Sequence, residues 1–411
     1  MSEKISMGIR VKLSAMMFLQ FMMLPVWFMT LSGYAEKLGA SSALIGWIVS
    51  TMAVGTVAAP IVGTIADRYF NAEKVLAVSN IICAVMLAVA ANAASPVLLF
   101  VALQIAMMFY MPSWGLTANI AMANSSTEAF PQIRVFGSIG WVAASAFSII
   151  GKQLGVTVDC ASPMFYCGAG TALVAGALGF MLPATPPKAK GQPVSLIDTL
   201  GLRSITLMKK PSFAIFIVVS FLMMIPFSLY MSYGGEFLLK SGFKLPTLVM
   251  SIGQFGEIFF MLILAVAIKK LGIKRAMICG LSALTLRYAF FWIGGVQEIP
   301  ALYYAAILLH GLIFGFFIIG GQMFIDKKAP DSMRSQAQGF FWLVTFGMGS
   351  FISNFANRAL ITKYELVIDE AKNLYSWNQL WLIALIFSAV LLVVFALLFK
   401  PHLDEETAQE A

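Results

Sequence analysis

Pro183-Ala-Thr-Pro-Pro-Lys-Ala-Lys-Gly-Gln-Pro193, continued as far as Lys210, is the longest polar interruption in a chain of 411 residues. Prolines that cannot donate a backbone hydrogen bond and lysines that stay hydrated make it an extended basic linker. Before it lie apolar runs at 13–34, 42–66, 75–94, 97–123, 132–152 and 163–183; after it lie runs at 212–236, 246–268, 275–295, 299–325, 336–358 and 376–399. A helix needs about 20 apolar residues to cross the hydrocarbon core, and each run is long enough. The pattern predicts an all-α membrane protein with twelve transmembrane helices in two six-helix bundles, 1–183 and 212–400, joined by a linker at 184–211 and followed by a polar tail at 401–411.

Composition excludes the alternatives. The chain is 60% hydrophobic and 11% charged, with a mean hydropathy of +0.87, whereas soluble domains carry roughly 25% charged residues. Its net charge of +8 does not point to nucleic acid, because the basic residues stand singly or in pairs between apolar runs. They report topology instead. With the N-terminus in the cytoplasm, nineteen Lys and Arg fall in inside segments and seven outside, which puts both termini inside a bacterial inner membrane. The polar start, Met1 to Lys12, runs into the first apolar stretch with no small-residue cleavage site, so a first span is expected rather than a removed signal.

Four cysteines, Cys83, Cys160, Cys167 and Cys279, include no C-x-x-C pair, and there are two histidines, His310 and His402. No metal or cofactor has a ligand set. Cys160 and Cys167 share a loop assigned outside, where a disulfide and two free thiols are both open, the thiols being the commoner outcome.

Three ionisable groups lie at membrane depth, where each costs about 2.5–3.5 kcal/mol and is a functional candidate by default: Arg134, Glu257 and Arg287. Arg134, Ser138 and Trp141 are spaced i, i+4, i+7, putting a cation, a hydroxyl and a flat aromatic on one helical face suited to a ring-bearing polar solute. The competing reading is an Arg134 that snorkels to the interface, with Trp141 as packing. Gln254 and Glu257, at i and i+3, offer an amide and a carboxyl able to grip hydroxyls, and a carboxyl in low dielectric can exchange a proton near neutral pH. The bland alternative is a structural Glu257–Arg287 ion pair. His310 can donate, accept or titrate, or simply pack. Phe314 and Gln322 follow it on the same helix. Gln20, Trp27, Tyr110, Asn119, Tyr230, Tyr233, Asn354 and Asn357 are cavity liners or interhelical glue.

Gly63-Thr-Ile-Ala-Asp67-Arg68 resembles the G-x-x-x-D-R loop signature of the major facilitator superfamily, where Gly allows close helix approach and the Asp/Arg pair caps a helix end as a gating loop. Its counterpart in the second half, Lys269-Lys270-Leu-Gly272-Ile-Lys274-Arg275, keeps the basic character but lacks the Asp. A faint repeat relates the halves: Arg134 with Gly140-Trp141, and Arg334 with Gly339 and Trp342.

Phe130-Pro-Gln-Ile-Arg134-Val-Phe-Gly-Ser138-Ile-Gly-Trp141, Gln254-Phe-Gly-Glu257, Leu286-Arg287-Tyr-Ala-Phe, and His310-Gly followed by Phe314 and Gly-Gln322-Met-Phe-Ile-Asp326-Lys327 are similar to stretches of the nucleoside:proton symporter family. That resemblance implies that Arg134, Ser138, Trp141, Gln254, Glu257 and Phe314 contact a nucleoside, with His310 beside them, and that the protein is a monomeric secondary transporter moving nucleoside and proton together. Glu257 and His310 are the candidates for the coupling proton. Two features depart from the family: Gly315 stands where an Asp usually follows the Phe, and Ser228 and Met231 align with polar amides. A sugar or other small polar solute, carried with or without protons, is therefore the alternative cargo. A membrane-embedded enzyme or sensor is remote, since no H-E-x-x-H, G-x-S-x-G or phosphate loop occurs.

Overall fold

Serines and prolines set where the helices begin. Ser6, Ser41 and Ser95 each accept a hydrogen bond from the backbone N–H three residues on, relieving orphan donors of the first turn. Pro96, Pro163, Pro211 and Pro246 open helices at the position where their missing N–H costs nothing. The structure, a computed structural model, describes residues 6–126, 129–187, 201–330, 333–369, 372–375 and 377–401. His402 and most of the linker fall outside the described residues, as does the side chain of Asp67.

Twelve apolar helices follow in chain order among the described residues: α1 (Met7–Phe28), α2 (Ser42–Ala66), α3 (Ala72–Ala91), α4 (Pro96–Ala123), α5 (Phe130–Gln153), α6 (Pro163–Gly179), α7 (Pro211–Lys240), α8 (Pro246–Leu264), α9 (Ile273–Val296), α10 (Ala301–Lys328), α11 (Gln336–Lys363) and α12 (Trp377–Leu398). Eleven are long and apolar enough to cross a bilayer. The sixth, at 17 residues, ends earlier than the apolar run through 183 predicts, because the chain turns at 180–182 before Pro183. Helix α2 runs on to Arg68 and α8 to Leu271. A hairpin of Glu365–Asp369 and Lys372–Tyr375, which composition does not announce, precedes α12.

By backbone contact the chain divides into two compact units, 1–194 with 231–251, and 195–230 with 252–411. In the first unit α3 packs against α4 and α6, α2 against α4, and α1 against α5. A polar thread ties three of these helices: Gln20 donates to Ser113 Oγ at 2.6 Å, Asn80 donates to Gln20 Oε1 at 3.0 Å, and the Tyr110 hydroxyl donates to the Gln20 carbonyl at 2.9 Å. Gln20 and Tyr110 are fully buried, and these bonds make them glue between helices. In the second unit α9 packs against α10 and α12, and Asn357 donates to the Ile225 carbonyl at 2.8 Å. Large apolar residues such as Leu262, 76% exposed, cover the outside, as a chain solvated by lipid requires.

Both bundles contain departures from regular helix. Helix α1 breaks at Met23–Leu24 and α5 at Ala144. Phe314–Ile319 of α10 and Leu343–Gly349 of α11 are wound as π-helix, a form that is rare and concentrated at functional sites.

Candidate functional site

In the first unit the candidate face is built by α5 and α1. The chains of these helices meet at Gly140, where a Cβ would stand 2.1 Å from the Phe18 carbonyl oxygen; only glycine permits that approach. Further along the same face, the Arg134 guanidinium lies 4.4 Å over the centre of the Phe21 ring, a cation–π contact that turns it back over α1. Phe21 in turn packs on Trp114 with centroids 5.3 Å apart. Arg134, Ser138 and Trp141 are all half-buried, while Val135, Phe136 and Ile139 between them are exposed. Arg134, Ser138 and Trp141 thus share one half-buried side of α5, with the Arg134 guanidinium resting on an aromatic ring.

In the second unit the candidates sit on α8 and α10, pressed together without intervening side chains. A Cβ on Gly311 would lie 1.9 Å from the Gly256 carbonyl carbon and 2.0 Å from the Glu257 nitrogen. Gln254 is buried and Glu257 half-buried, with Phe255 and Phe259 turned outward, so the amide and the carboxyl stand on the less exposed side of α8. His310 is buried in an aromatic cage, its ring 5.7 Å from Phe227, 5.8 Å from Tyr230 and 6.1 Å from Phe314. Its Nδ1 finds no hydrogen-bond partner among the described residues. Packing dominates its surroundings.

Arg287 corrects one expectation. It is fully buried, with Nε donating to the Ala306 carbonyl at 3.2 Å and the guanidinium 4.3 Å over the Tyr230 ring. Its two terminal nitrogens make no hydrogen bond among the described residues, so the hydrogen-bonded Glu257–Arg287 ion pair does not form. The π-face of Tyr230 takes the place of the carboxylate.

Gly63 also differs from expectation. Nothing described stands within 4 Å of where its Cβ would be, so close helix approach does not explain that glycine. Arg68 occupies the last turn of its helix, where a cation complements the helix dipole. All four cysteines are free, Cys160 and Cys167 included.

Sequence spacing gave no sign of Phe21 beneath Arg134, nor of the Phe227–Tyr230–His310 cage, because each joins residues far apart in the chain. Chemically, the first unit offers a cation, a hydroxyl and an indole on one face, and the second an amide, a carboxyl and aromatic rings. These are the groups that hold hydroxyls and flat polar rings.

A family model described as nucleoside H+ symporter matches residues 7–404. Among curated proteins, YegT of Escherichia coli (strain K12) is 34% identical over 97% of this chain and 95% of its own length. The xanthosine permease of the same organism is 28% identical, covering 97% of this chain and 98% of itself. A crystal structure of the nucleoside transporter NupG superposes with a TM-score of 0.83 at 28% identity, over 96% of this chain and 100% of that one.

Proposed function

The chain belongs to the nucleoside H+ symporter family, and from that premise we propose how it carries its solute. It is a membrane transporter of the major facilitator fold and not an enzyme. It works as a proton-coupled importer of nucleosides, and its two six-helix halves, 1–183 and 212–400, alternate access to the solute. Arg134, Ser138 and Trp141 of the first unit contact the nucleoside, as do Gln254, Glu257 and Phe314 of the second. Flat rings such as Trp141 and Phe314 take the base by stacking, and Gln254 and Glu257 take ribose hydroxyls. With Gly315 in place of the usual Asp, Glu257 is the carboxyl among the nucleoside contacts left to exchange the coupling proton. His310 is its neighbour on α10, and Asp67 and Arg68 belong to the gating loop. The protein acts as a monomer in a bacterial inner membrane with both termini cytoplasmic.

The observation that carries this reading is a family match running from residue 7 to residue 404, through both units. Competition for uptake in a transport-deficient strain tests it: unlabelled nucleosides compete with labelled uridine or xanthosine, and sugars do not. Competition by sugars, with none by nucleosides, would move the cargo to the alternative class.

A further inference from the structure

We infer that Asp159, held between Ser148 and Thr247, is a proton-binding site that locks one end of the transporter shut when occupied. The inference rests on the alternating-access reading above. It concerns the segment 231–251, which links α7 to α8 yet packs within the unit formed by 1–194.

Asp159 lies in the loop between α5 and α6 and is only 5% exposed. One carboxyl oxygen, Oδ1, accepts both the Ser148 hydroxyl at 2.8 Å and the Thr247 hydroxyl at 2.5 Å. The other, Oδ2, is buried and accepts nothing among the described residues. A carboxylate shares its charge between two equivalent oxygens, and a buried one needs donors on both. A neutral acid has one strong acceptor, the carbonyl oxygen, and a hydroxyl with little to accept. With no partner at Oδ2 among the described residues, ionisation would leave a bare buried charge there and protonation only an unmet O–H, so the asymmetry favours the acid, with Oδ2 bearing the proton. Thr247 is in the first turn of α8 and fully buried, so this one carboxyl fastens the start of α8 to the end of α5. The next residue, Cys160, is held in the left-handed region at φ 56° by its N–H donating to Thr30 Oγ1 at 2.9 Å. Both anchors define a single docked geometry.

The charged neighbours are otherwise engaged. Lys240 of α7 bridges Glu36 at 2.9 Å and Glu236 at 3.2 Å, Lys37, Glu236 and Asp159 itself act on the Cys160 thiol, and Lys152 and Lys244 are exposed. Burial raises the Asp159 carboxyl above its ordinary value, against the opposing pull of Thr247 and Ser148, with no ionised neighbour contributing. The docked state therefore binds the proton more tightly than an undocked carboxyl in water. Falling pH favours docking, and pH rising through the docked-state value releases it. Docking takes one proton from the medium onto Oδ2 and undocking returns it, and only that O–H bond forms or breaks. The Lys and Arg asymmetry assigns this end to the outside, so the lock closes on the side from which an imported proton arrives.

Cys160 is 3% exposed when docked and serves as the reporter. The full chain, with Cys83, Cys167 and Cys279 replaced by serine, is labelled with a membrane-impermeant maleimide in right-side-out vesicles from pH 5 to pH 8. Each rate is divided by that of the same protein carrying Asp159→Asn, which removes the thiol's own pH dependence apart from the part Asp159 contributes to it. The ratio should be near one at the acid end and, once pH passes the docked-state value, climb towards about tenfold per pH unit, the limiting slope for one proton linked to opening. A flat ratio overturns the proposal. So does an Asp159→Asn protein labelled rapidly at every pH, which would make the carboxyl a plain structural acceptor, or labelling confined to inverted vesicles. A pH dependence that survives Asp159→Asn and vanishes in Glu236→Gln reassigns the proton and overturns it too. Thr247→Val removes a hydroxyl that holds the docked value down, so read against the parent it should shift the labelling midpoint to higher pH, and an unmoved midpoint counts against the lock even where Asp159→Asn does not insert. No substrate enters this measurement, so its failure is separate from any failure of nucleoside uptake.

Discussion

Gly311→Ala should cripple transport while leaving the protein in the membrane. The added methyl would be placed 1.9 Å from the Gly256 carbonyl carbon and 2.0 Å from the Glu257 nitrogen. Carbon atoms in contact sit ~3.5 Å apart, so α8 and α10 must separate by about 1.5 Å. Both obstructing atoms are backbone and cannot rotate away. The overpacking costs about 1–3 kcal/mol, which a twelve-helix bundle survives. The displacement falls on the peptide that carries Glu257, and a shift near 1 Å in a positioned group costs about 100-fold in rate. Nucleoside uptake per inserted molecule should therefore fall about 10- to 100-fold. Gly315→Ala, one turn further along α10, is the internal control: its nearest obstacle is the flexible Met261 Cγ at 3.7 Å, and uptake should be retained. The assay is initial-rate uptake of labelled nucleoside in a transport-deficient strain, normalised to protein extracted from the membrane. Uptake within twofold of the parent for Gly311→Ala would refute the claim that this backbone contact sets the position of Glu257.

Other consequences follow from the same geometry. Glu257→Gln removes the exchangeable proton but keeps the shape, so accumulation against a gradient should cease while counterflow exchange of preloaded nucleoside persists; accumulation at the parental level would take Glu257 out of the coupling step. Phe21→Leu deletes the ring 4.4 Å beneath Arg134; a cation–π contact of about 0.5–2 kcal/mol corresponds to a KM raised about 2- to 30-fold at unchanged maximal rate, and an unchanged KM would show that the ring does not orient the guanidinium for substrate. Gly315→Asp places a carboxyl where there is room for its Cβ, so insertion should be normal and the pH profile of uptake should change; an identical profile would show that position 315 has no part in proton exchange. Gln20→Leu breaks the thread to Ser113 and Asn80, and at about 0.6–1.7 kcal/mol per interhelical hydrogen bond it should lower the thermal midpoint in detergent with KM unaltered.

Much of this molecule is written in local spacing. Apolar runs bounded by Ser, Pro and charge give the helices, because length and hydropathy alone decide whether a segment can span lipid. The i, i+4, i+7 spacing of Arg134, Ser138 and Trp141 and the i, i+3 spacing of Gln254 and Glu257 give their shared faces, because helical period is fixed by backbone geometry. What escapes such reading is whatever depends on a distant partner or on hydrogen-bond register. Phe21 under Arg134 and Tyr230 under Arg287 are contacts across helices. The π-wound turns at Phe314–Ile319 and Leu343–Gly349 have no compositional signature. Asp159 sits in a loop whose burial depends on the far end of α7 and the start of α8. Gly63 shows the reverse failure: its motif suggests a tight contact, and the structure leaves open space beside it.

The most direct test of proton-coupled nucleoside import is uptake into proteoliposomes holding the purified protein, with the lumen buffered more alkaline than the medium. Labelled nucleoside should rise transiently inside to well above its outside concentration and fall back to equality when a protonophore collapses the gradient. Filling to equality at the same rate with and without the pH difference would contradict the account, as would an absence of nucleoside entry under both conditions.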